Sequence, residues 1–167
     1  MKALCMVSHP DDCIIFGLGY IQAHPEYDWR ICYLTYRSNT PRGKEIAEFW
    51  QRRGIGVDFL GFTDNNRDLI LKRLSFNPIL ARNFIANELA SADLVLTHGV
   101  EGEYGHIHHK FVHDCCKEHA NIVTFAKEGR SYSVPTDYYT LAELPIHARA
   151  IGRFVEPTNH TNYYSAI

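Results

Sequence analysis

Short apolar runs alternate with longer mixed segments along most of this chain. Runs with the length and composition of buried strands lie at residues 2–7, 30–36, 57–62, 93–97 and 121–125. The segments between them have helical length and lie at residues 13–23, 41–53, 78–90 and 106–119. Strands that alternate with helices predict one α/β domain over residues 1–167, a three-layer Rossmann-like parallel sheet with helices on both faces.

Local signals support several of these boundaries. Pro41 and Pro78 stand at favourable first positions of their helices. The helix at 78–90 is expected to make its apolar contacts through Ile79, Leu80, Phe84, Ile85 and Leu89. After residue 126 the pattern weakens: residues 138–151 are expected to be partly helical with an interruption at Pro145, and the tail from about residue 152 is expected to be irregular.

A compact polar motif, His9-Pro10-Asp11-Asp12, follows the first strand directly. In open α/β sheets, ligands bind at the carboxyl ends of the strands. His9 and Asp12 offer a nitrogen and an oxygen to a borderline metal such as zinc, and Asp11 is free to take a proton from a water on that metal. The competing interpretation is a turn in which Asp11 or Asp12 caps the following helix.

A second cluster follows the fourth strand. The chain has ten histidines, of which six lie between residues 98 and 119: His98, His106, His108, His109, His113 and His119. The carboxyl ends of parallel strands share one sheet edge, so the two clusters are expected to meet there. The competing interpretation is a solvated, histidine-rich loop that begins a helix. The spacing does not decide which histidine is the third metal ligand. His106 and His109 share a helix face, and so do His109 and His113. His98 is expected to be a structural hydrogen-bonding residue, and histidines outside the cluster, His147 among them, to be packing or surface residues.

Composition narrows the function classes. The net charge is −2, with 17 basic and 19 acidic residues and no basic stripe, which argues against a nucleic-acid partner. No window is apolar enough to span a membrane and the N-terminus lacks signal-peptide organisation, so a cytoplasmic protein is expected. Five cysteines without disulfide spacing are expected to stay reduced. A complete dinucleotide fingerprint, a P-loop and a GxSxG elbow are all absent from the sequence.

The two motifs resemble those of the LmbE-like, or PIG-L, zinc-dependent N-deacetylases. Ser8-His9-Pro10-Asp11-Asp12 is similar to that family's AHPDD(E) signature, and the stretch 102–109 is similar to its GxYGHxDH motif. Residues 40–45 and 59–64 are similar to further family patterns. The resemblance covers roughly residues 1–125.

The resemblance implies a Rossmann-like hydrolase that removes acetyl groups from N-acetylated amino sugars or related glycoconjugates. It implies one zinc ion held by His9, Asp12 and His109, with Asp11 as general base. His106 would stabilise the oxyanion or protonate the leaving amine, and Tyr104 would add a hydrogen bond to the tetrahedral intermediate. Two histidines with one carboxylate also suit ferrous iron.

Two further residues are predicted to rim the same pocket. Arg42 and Asp64 follow the second and third strands, and the resemblance places substrate contacts there. The alternative for each is a cap or turn residue.

The chain departs from the family pattern at three motif positions. Cys13 stands where the family often has Glu, and Ile107 replaces a frequent Pro. His108 stands where the family usually has an Asp that supports a neighbouring histidine, and we expect that neighbour to be His106. The chain is also shorter than most members at its C-terminal end.

The leading hypothesis is therefore a zinc-dependent N-deacetylase acting on a small N-acetylated sugar such as an N-acetylglucosamine derivative. The alternatives are a metal-binding but catalytically weak ligand-binding or regulatory module, and a metal-dependent hydrolase of another small amide. A phosphoesterase is less favoured, because many of those enzymes use two metals. The sequence is compatible with a homo-oligomer.

Overall fold

Six strands form one sheet in a computed structural model that describes residues 1–65, 67–125, 142–151 and 164–166. The strands are β1 (Lys2–Val7), β2 (Asp28–Thr35), β3 (Gly56–Phe62), β4 (Leu94–Thr97), β5 (Ile122–Phe125) and β6 (Tyr164–Ala166). Their order across the sheet is β3-β2-β1-β4-β5-β6. The first five are parallel, and β6 pairs antiparallel with β5.

Helices cover both faces of this sheet. They are α1 (Leu18–Ala23), which a π-helical turn at Cys13–Gly17 precedes, then α2 (Pro41–Gln51), α3 (Asp68–Leu71), α4 (Pro78–Leu89), α5 (Gly102–Gly105), α6 (Ile107–Cys116) and α7 (Ala148–Ile151). The three-layer α/β architecture expected from the sequence is confirmed. Within the described residues no helix has both the length and the apolar content needed to cross a membrane.

The alternation of side chains along β1 divides the interior into two cores. Ala3, Cys5 and Val7 face the layer that contains α1 and α2, whereas Leu4 and Met6 face the layer that contains α4 and α6. Successive strand residues point to opposite faces, so a central strand must be apolar at every position. This requirement explains why β1 is a continuous apolar run that ends abruptly at the polar motif.

The expected apolar face of α4 is wrong in part. Ile79, Leu80 and Phe84 are largely exposed, while Ala81 and Ile85 are fully buried against the sheet. Residues four apart lie on one helix face, so the burial of Ala81 and Ile85 turns the other three outward. The sequence pattern does not determine which face of α4 is buried, because apolar residues occur on both sides of the helix.

The expectation of an irregular tail also needs correction. The tail contains β6, in which Val123 pairs with Ala166 and Phe125 pairs with Tyr164. A strand of three residues is too short to show an alternating pattern, so it could not be predicted from hydrophobic periodicity. Residues 152–163 and 126–141, which include the first part of the expected 138–151 helix, lie outside the described residues.

Two buried threonines fix the carboxyl end of β1. The Thr35 hydroxyl and backbone N–H both donate to Ser8 O, at 2.7 and 3.0 Å, and the Thr97 hydroxyl donates to Met6 O at 2.8 Å. Both threonines are fully buried. They tie β1 to its two neighbours immediately before the polar motif begins.

We predict that Thr35→Val lowers the free energy of unfolding by about 1 kcal/mol, because it removes one buried hydrogen bond and leaves the backbone donor in place. The matched control Thr63→Val changes an exposed threonine and is expected to shift stability by less than ~0.5 kcal/mol. Urea unfolding of both variants measures the difference. Equal losses of stability would contradict the assigned role of Thr35.

Candidate metal centre

The adjacent pairing of β1 and β4 brings the two polar motifs together. Met6 lies opposite Thr97 in the parallel ladder, so both chains leave the sheet at the same level. The strand order reverses direction between these two strands, which is the point where open α/β sheets bind ligands. His9 and His109 consequently meet across this edge, although they lie a hundred residues apart in sequence.

Three donor atoms converge at this edge. His9 Nδ1 lies 3.1 Å from Asp12 Oδ2, His109 Nε2 lies 3.3 Å from the same oxygen, and the two nitrogens are 3.2 Å apart. Tetrahedral ligands with bonds of about 2.0–2.2 Å lie roughly 3.3–3.6 Å from one another. The three distances between donor atoms, 3.1–3.3 Å, are close to the short end of that range. This donor set therefore fits a zinc ion.

Asp12 is not used as a helix cap. It occupies the residue before the π-helical turn but makes no side-chain cap hydrogen bond, and its Oδ2 accepts from the backbone N–H of His9 at 2.7 Å. Burial raises the pKa of Asp12, but the neighbouring His109 and His9 outweigh it and hold that pKa well below its usual value. The carboxylate is therefore ionised, as a metal ligand must be.

Glu103 is a site residue that the sequence analysis did not assign. Its Oε2 lies 2.5 Å from His109 Nδ1 and 2.9 Å from His98 Nδ1, and its Oε1 accepts from the backbone N–H of Gly99 at 2.8 Å. Burial raises the pKa of Glu103, but the larger combined effect of His98 and His109 lowers that pKa to about 2. A carboxylate on Nδ1 leaves Nε2 of His109 as the ligand nitrogen.

The backbone of Glu103 is strained, with φ 55° and ψ −70°. Such a conformation costs about 1–3 kcal/mol and persists only where surrounding contacts enforce it. The three hydrogen bonds of its carboxylate supply those contacts. Residues 98–109 of the histidine-rich run hold two glutamates, Glu101 and Glu103, so the sequence alone does not single out Glu103.

His98 lies in the site but is already committed to other contacts. Its Nε2 accepts from the backbone N–H of Ser8 at 3.0 Å, and its Nδ1 faces Glu103. Its ring stacks on His109 with centroids 3.9 Å apart. Donor atoms of Asp12, His98 and His109 do cluster, yet the ring of His98 has no nitrogen left for a metal. The expectation of a structural hydrogen-bonding role is confirmed.

His106 begins α6 and presents one nitrogen to the site. The backbone N–H of His108 donates to His106 Nδ1 at 3.2 Å, which makes His106 the N-cap of this helix. In a neutral ring the proton then resides on Nε2. Burial and the neighbouring His9, His109 and His108 lower the pKa of His106 to about 3. The His106 ring is therefore neutral at pH 7 and can donate a hydrogen bond from Nε2.

Tyr104 covers the outer side of the histidines. Its ring meets His109 and His106 edge-on, with centroids 5.2 and 5.7 Å apart, and the residue is 46% exposed. Burial of the hydroxyl raises its pKa, with nearby carboxylates adding to the effect. The hydroxyl therefore keeps its proton and remains a hydrogen-bond donor at the mouth of the site.

Asp11 and the two predicted rim residues form one hydrogen-bonded chain. Arg42 Nη2 donates to Asp11 Oδ1 at 2.8 Å, and Arg42 Nη1 donates to the Tyr36 hydroxyl at 2.7 Å. That hydroxyl donates to Asp64 Oδ2 at 3.0 Å. Arg42 thus contacts Asp11, and Asp64 Oδ1 lies 3.6 Å from His9 Nε2. Among the described residues Asp11 Oδ2 has no hydrogen-bond partner.

Gly43 allows this arrangement. A Cβ at this position would lie 2.1 Å from the backbone oxygen of Arg37, so only glycine fits here in the first turn of α2. Thr40 caps the same helix by accepting from the Gly43 N–H. The close approach sets the first turn of α2 against β2 and directs Arg42 toward Asp11.

The expected partner of His108 is wrong. The ring nitrogens of His108 contact other residues: Nδ1 lies 3.2 Å from His9 Nε2, and Nε2 lies 2.9 Å from Asp68 Oδ2. The His108 ring stacks on the His9 ring with centroids 5.3 Å apart, because His108 lies on the buried face of α6. Asp68, buried on α3, had no role in the sequence analysis.

Two of the remaining histidines lie behind the site. His113 is buried and its Nδ1 lies 2.9 Å from His98 O, so it helps to fix the end of β4. His147 is fully buried with Nδ1 2.5 Å from Glu45, which lies one turn after Arg42 on α2. His147 thus joins residues 142–151 to the helix that carries Arg42, a more specific contact than the expected packing.

Comparison with known sequences gives one distant relative. No family model matches the chain. An uncharacterised protein, L374, of Acanthamoeba polyphaga mimivirus is 29% identical over 129 residues. The match covers 65% of this chain and 53% of the viral protein, so the chain spans about half the length of that relative.

Comparison with solved structures identifies the fold. A deacetylase in the biosynthesis pathway of teicoplanin, in complex with teicoplanin, superposes with a TM-score of 0.59 at 11% identity, over 92% of this chain and 86% of that one. A zinc-inhibited form of the teicoplanin deacetylase Orf2 gives 0.53 at 12% identity, over 92% and 84%. GalB, the 4-carboxy-2-hydroxymuconate hydratase of Pseudomonas putida KT2440, gives 0.57 at 13% identity, over 95% and 80%. The resemblance stated from the two motifs is confirmed at the level of the fold: the chain has the LmbE-like fold that the teicoplanin deacetylase structures share.

Proposed function

We propose that this protein is a metal-dependent hydrolase that removes an acetyl group from an N-acetylated amino sugar or a related small glycoconjugate. The convergence of His9 Nδ1, Asp12 Oδ2 and His109 Nε2 within 3.1–3.3 Å, beside Asp11, carries the proposal. The teicoplanin-pathway deacetylase, which shares the fold, supports the proposal at the level of reaction class. His9, Asp12 and His109 would hold zinc, and this assignment is our own.

The protein prepares its three ligands with carboxylates and hydrogen bonds. When bound, zinc would supply an electrophilic centre that lowers the pKa of a water to about 7 and polarises an amide carbonyl. Glu103 orients His109 through Nδ1, which raises the basicity of the opposite nitrogen. The pKa of Asp12 is held well below its usual value, so this ligand stays ionised.

Asp11 is the proposed general base. It directly precedes the ligand Asp12 in sequence, and its carboxylate is held by Arg42. Arg42 holds Oδ1, which fixes the carboxylate and leaves Oδ2 to accept a proton from the attacking water and pass it toward the leaving nitrogen.

His106 and Tyr104 are the proposed donors to the negative charge that develops on the carbonyl oxygen. The N-cap contact of His106 leaves Nε2–H as its donor, and the Tyr104 hydroxyl keeps its proton at pH 7. Donors of this kind contribute about 10²–10³ in rate. Arg42 and Asp64 retain some exposure at the rim, where they are proposed to bind the hydroxyl groups of a small sugar.

A second candidate function follows from the hydratase with the same fold. GalB shows that this architecture also serves the hydration of a carboxylated substrate. The two functions are separated by assaying acetate release from N-acetylated amino sugars in parallel with hydration of unsaturated carboxylic acids. A metal-loaded protein inactive on both classes would support the weak ligand-binding module instead. A cytoplasmic location and a homo-oligomer stay predictions.

We predict that the protein binds about one zinc ion per chain and that His109→Ala removes most of this affinity, since it deletes a ligand. The matched variant His106→Ala changes a neighbouring ring on the same helix and is expected to retain zinc while losing rate. Competition with a chelator measures the affinities. The role assignment fails if His106→Ala loses the metal and His109→Ala keeps it.

We predict that Asp11→Asn retains zinc and loses about 10²–10⁴ in turnover, because the amide cannot accept a proton. Asp28→Asn, a change at an exposed aspartate outside the site, is the control and is expected to keep full activity. The assay supplies one equivalent of metal, since a fold neighbour is known in a zinc-inhibited form. Near-normal turnover of Asp11→Asn would refute the base role.

A further inference from the structure

His9 has a second set of contacts, on the side of its ring that faces away from the donor triangle. Its Nε2 lies 3.2 Å from His108 Nδ1 and 3.6 Å from Asp64 Oδ1. The first distance is that of a hydrogen bond, while the second is too long for one. The distances therefore make His108 the hydrogen-bond partner of His9 on this side, while the Tyr36 hydroxyl donates to the other oxygen of Asp64.

The next contact fixes where the protons lie. His108 Nε2 lies 2.9 Å from Asp68 Oδ2, which also accepts from the backbone N–H of Ser75 at 2.8 Å. A carboxylate only accepts, so Nε2 of His108 carries the proton and Nδ1 of the neutral ring is left to accept. His9 must then donate from Nε2, and its Nδ1 keeps a free lone pair that faces Asp12 and His109.

We propose that Asp68 and His108 act together as positioning residues, which hold the His9 ring with Nδ1 as the ligand nitrogen of the metal site. This inference rests on the proposed function, because it concerns a ligand of that metal. His108 and Asp68 are fully or almost fully buried, so water does not compete for these hydrogen bonds. The carboxylate support that an aspartate at position 108 would give directly is instead delivered from α3 through an imidazole.

The chemistry of histidine ligands explains why this pair matters. A ligating imidazole generally donates its other N–H to a carboxylate or carbonyl, which fixes the tautomer and the ring orientation. In this site Glu103 serves His109 directly, whereas His9 is served by His108 backed by Asp68. Each histidine ligand is therefore oriented by a carboxylate, His109 by direct contact with Glu103 and His9 by Asp68 acting through His108.

The test compares zinc affinities by chelator competition. Asp68→Ala is expected to weaken zinc binding about 10–100-fold, because it removes the carboxylate that keeps the protons of His108 and His9 on their Nε2 atoms. The control Asp58→Ala removes a carboxylate that pairs with Arg30 outside the site and is expected to leave the affinity unchanged. If Asp68→Ala does not fold, the isosteric Asp68→Asn replaces it, with a loss toward the lower end of that range.

A rescue variant separates positioning from a purely structural role. The Oδ1 of aspartate and the Nδ1 of histidine both branch from Cγ, so His108→Asp puts a carboxylate opposite His9 Nε2. The double variant Asp68→Ala/His108→Asp is expected to recover most of the lost zinc affinity, although it leaves the space of Asp68 empty. Long-range ¹H–¹⁵N spectra of the zinc-loaded wild type should show His9 and His108 both protonated on Nε2.

Several results would overturn the proposal. Equal zinc affinity of Asp68→Ala and Asp58→Ala, no recovery in the double variant, or a proton on Nδ1 of His108 would each refute the pair and leave the proposed function intact. Two zinc ions per chain, with the second lost in His108→Ala, would show that His108 is a ligand instead. A wild-type protein that takes up no zinc would overturn this inference and the proposed function together.

Discussion

The pairing of β1 with β4 is the constraint on which the candidate site depends. These two strands are adjacent in the sheet but far apart in sequence, and their ladder ends with Met6 opposite Thr97. Hydroxyls of Thr35 and Thr97 hold the last carbonyls of β1, so the chain enters the His9–Asp12 turn from a fixed direction. A slip of this register by one residue would turn every side chain of β1 to the opposite face and separate the two motifs.

Around this edge, ionised carboxylates determine how the buried imidazoles are protonated. Glu103 binds the Nδ1 atoms of His98 and His109, and Asp68 binds Nε2 of His108. Buried carboxylates of this kind are costly unless their hydrogen bonds are satisfied, and here each accepts at least two. The same contacts that stabilise the folded protein therefore also select which nitrogens face the donor triangle.

Much of this arrangement could be predicted from local sequence. β1 is a continuous apolar run followed at once by His9 and Asp12, and the other strands up to β5 and the helices α1, α2, α4 and α6 follow from similar local patterns. The one-turn helices α3 and α5 were not predicted. Glu103, Asp68 and Glu45 could not be assigned in this way, because their roles are set by partners on other elements. The phase of α4 and the short β6 were missed for a related reason, since tertiary contacts decide both.

The central claim is that His9 Nδ1, Asp12 and His109 Nε2 form the metal site. Anomalous diffraction at the zinc edge, from crystals grown with one equivalent of zinc, tests it most directly. The account predicts a single peak within about 2.0–2.2 Å of those three donor atoms. A peak between His9 Nε2, Asp64 and His108, or the absence of any peak, would contradict it.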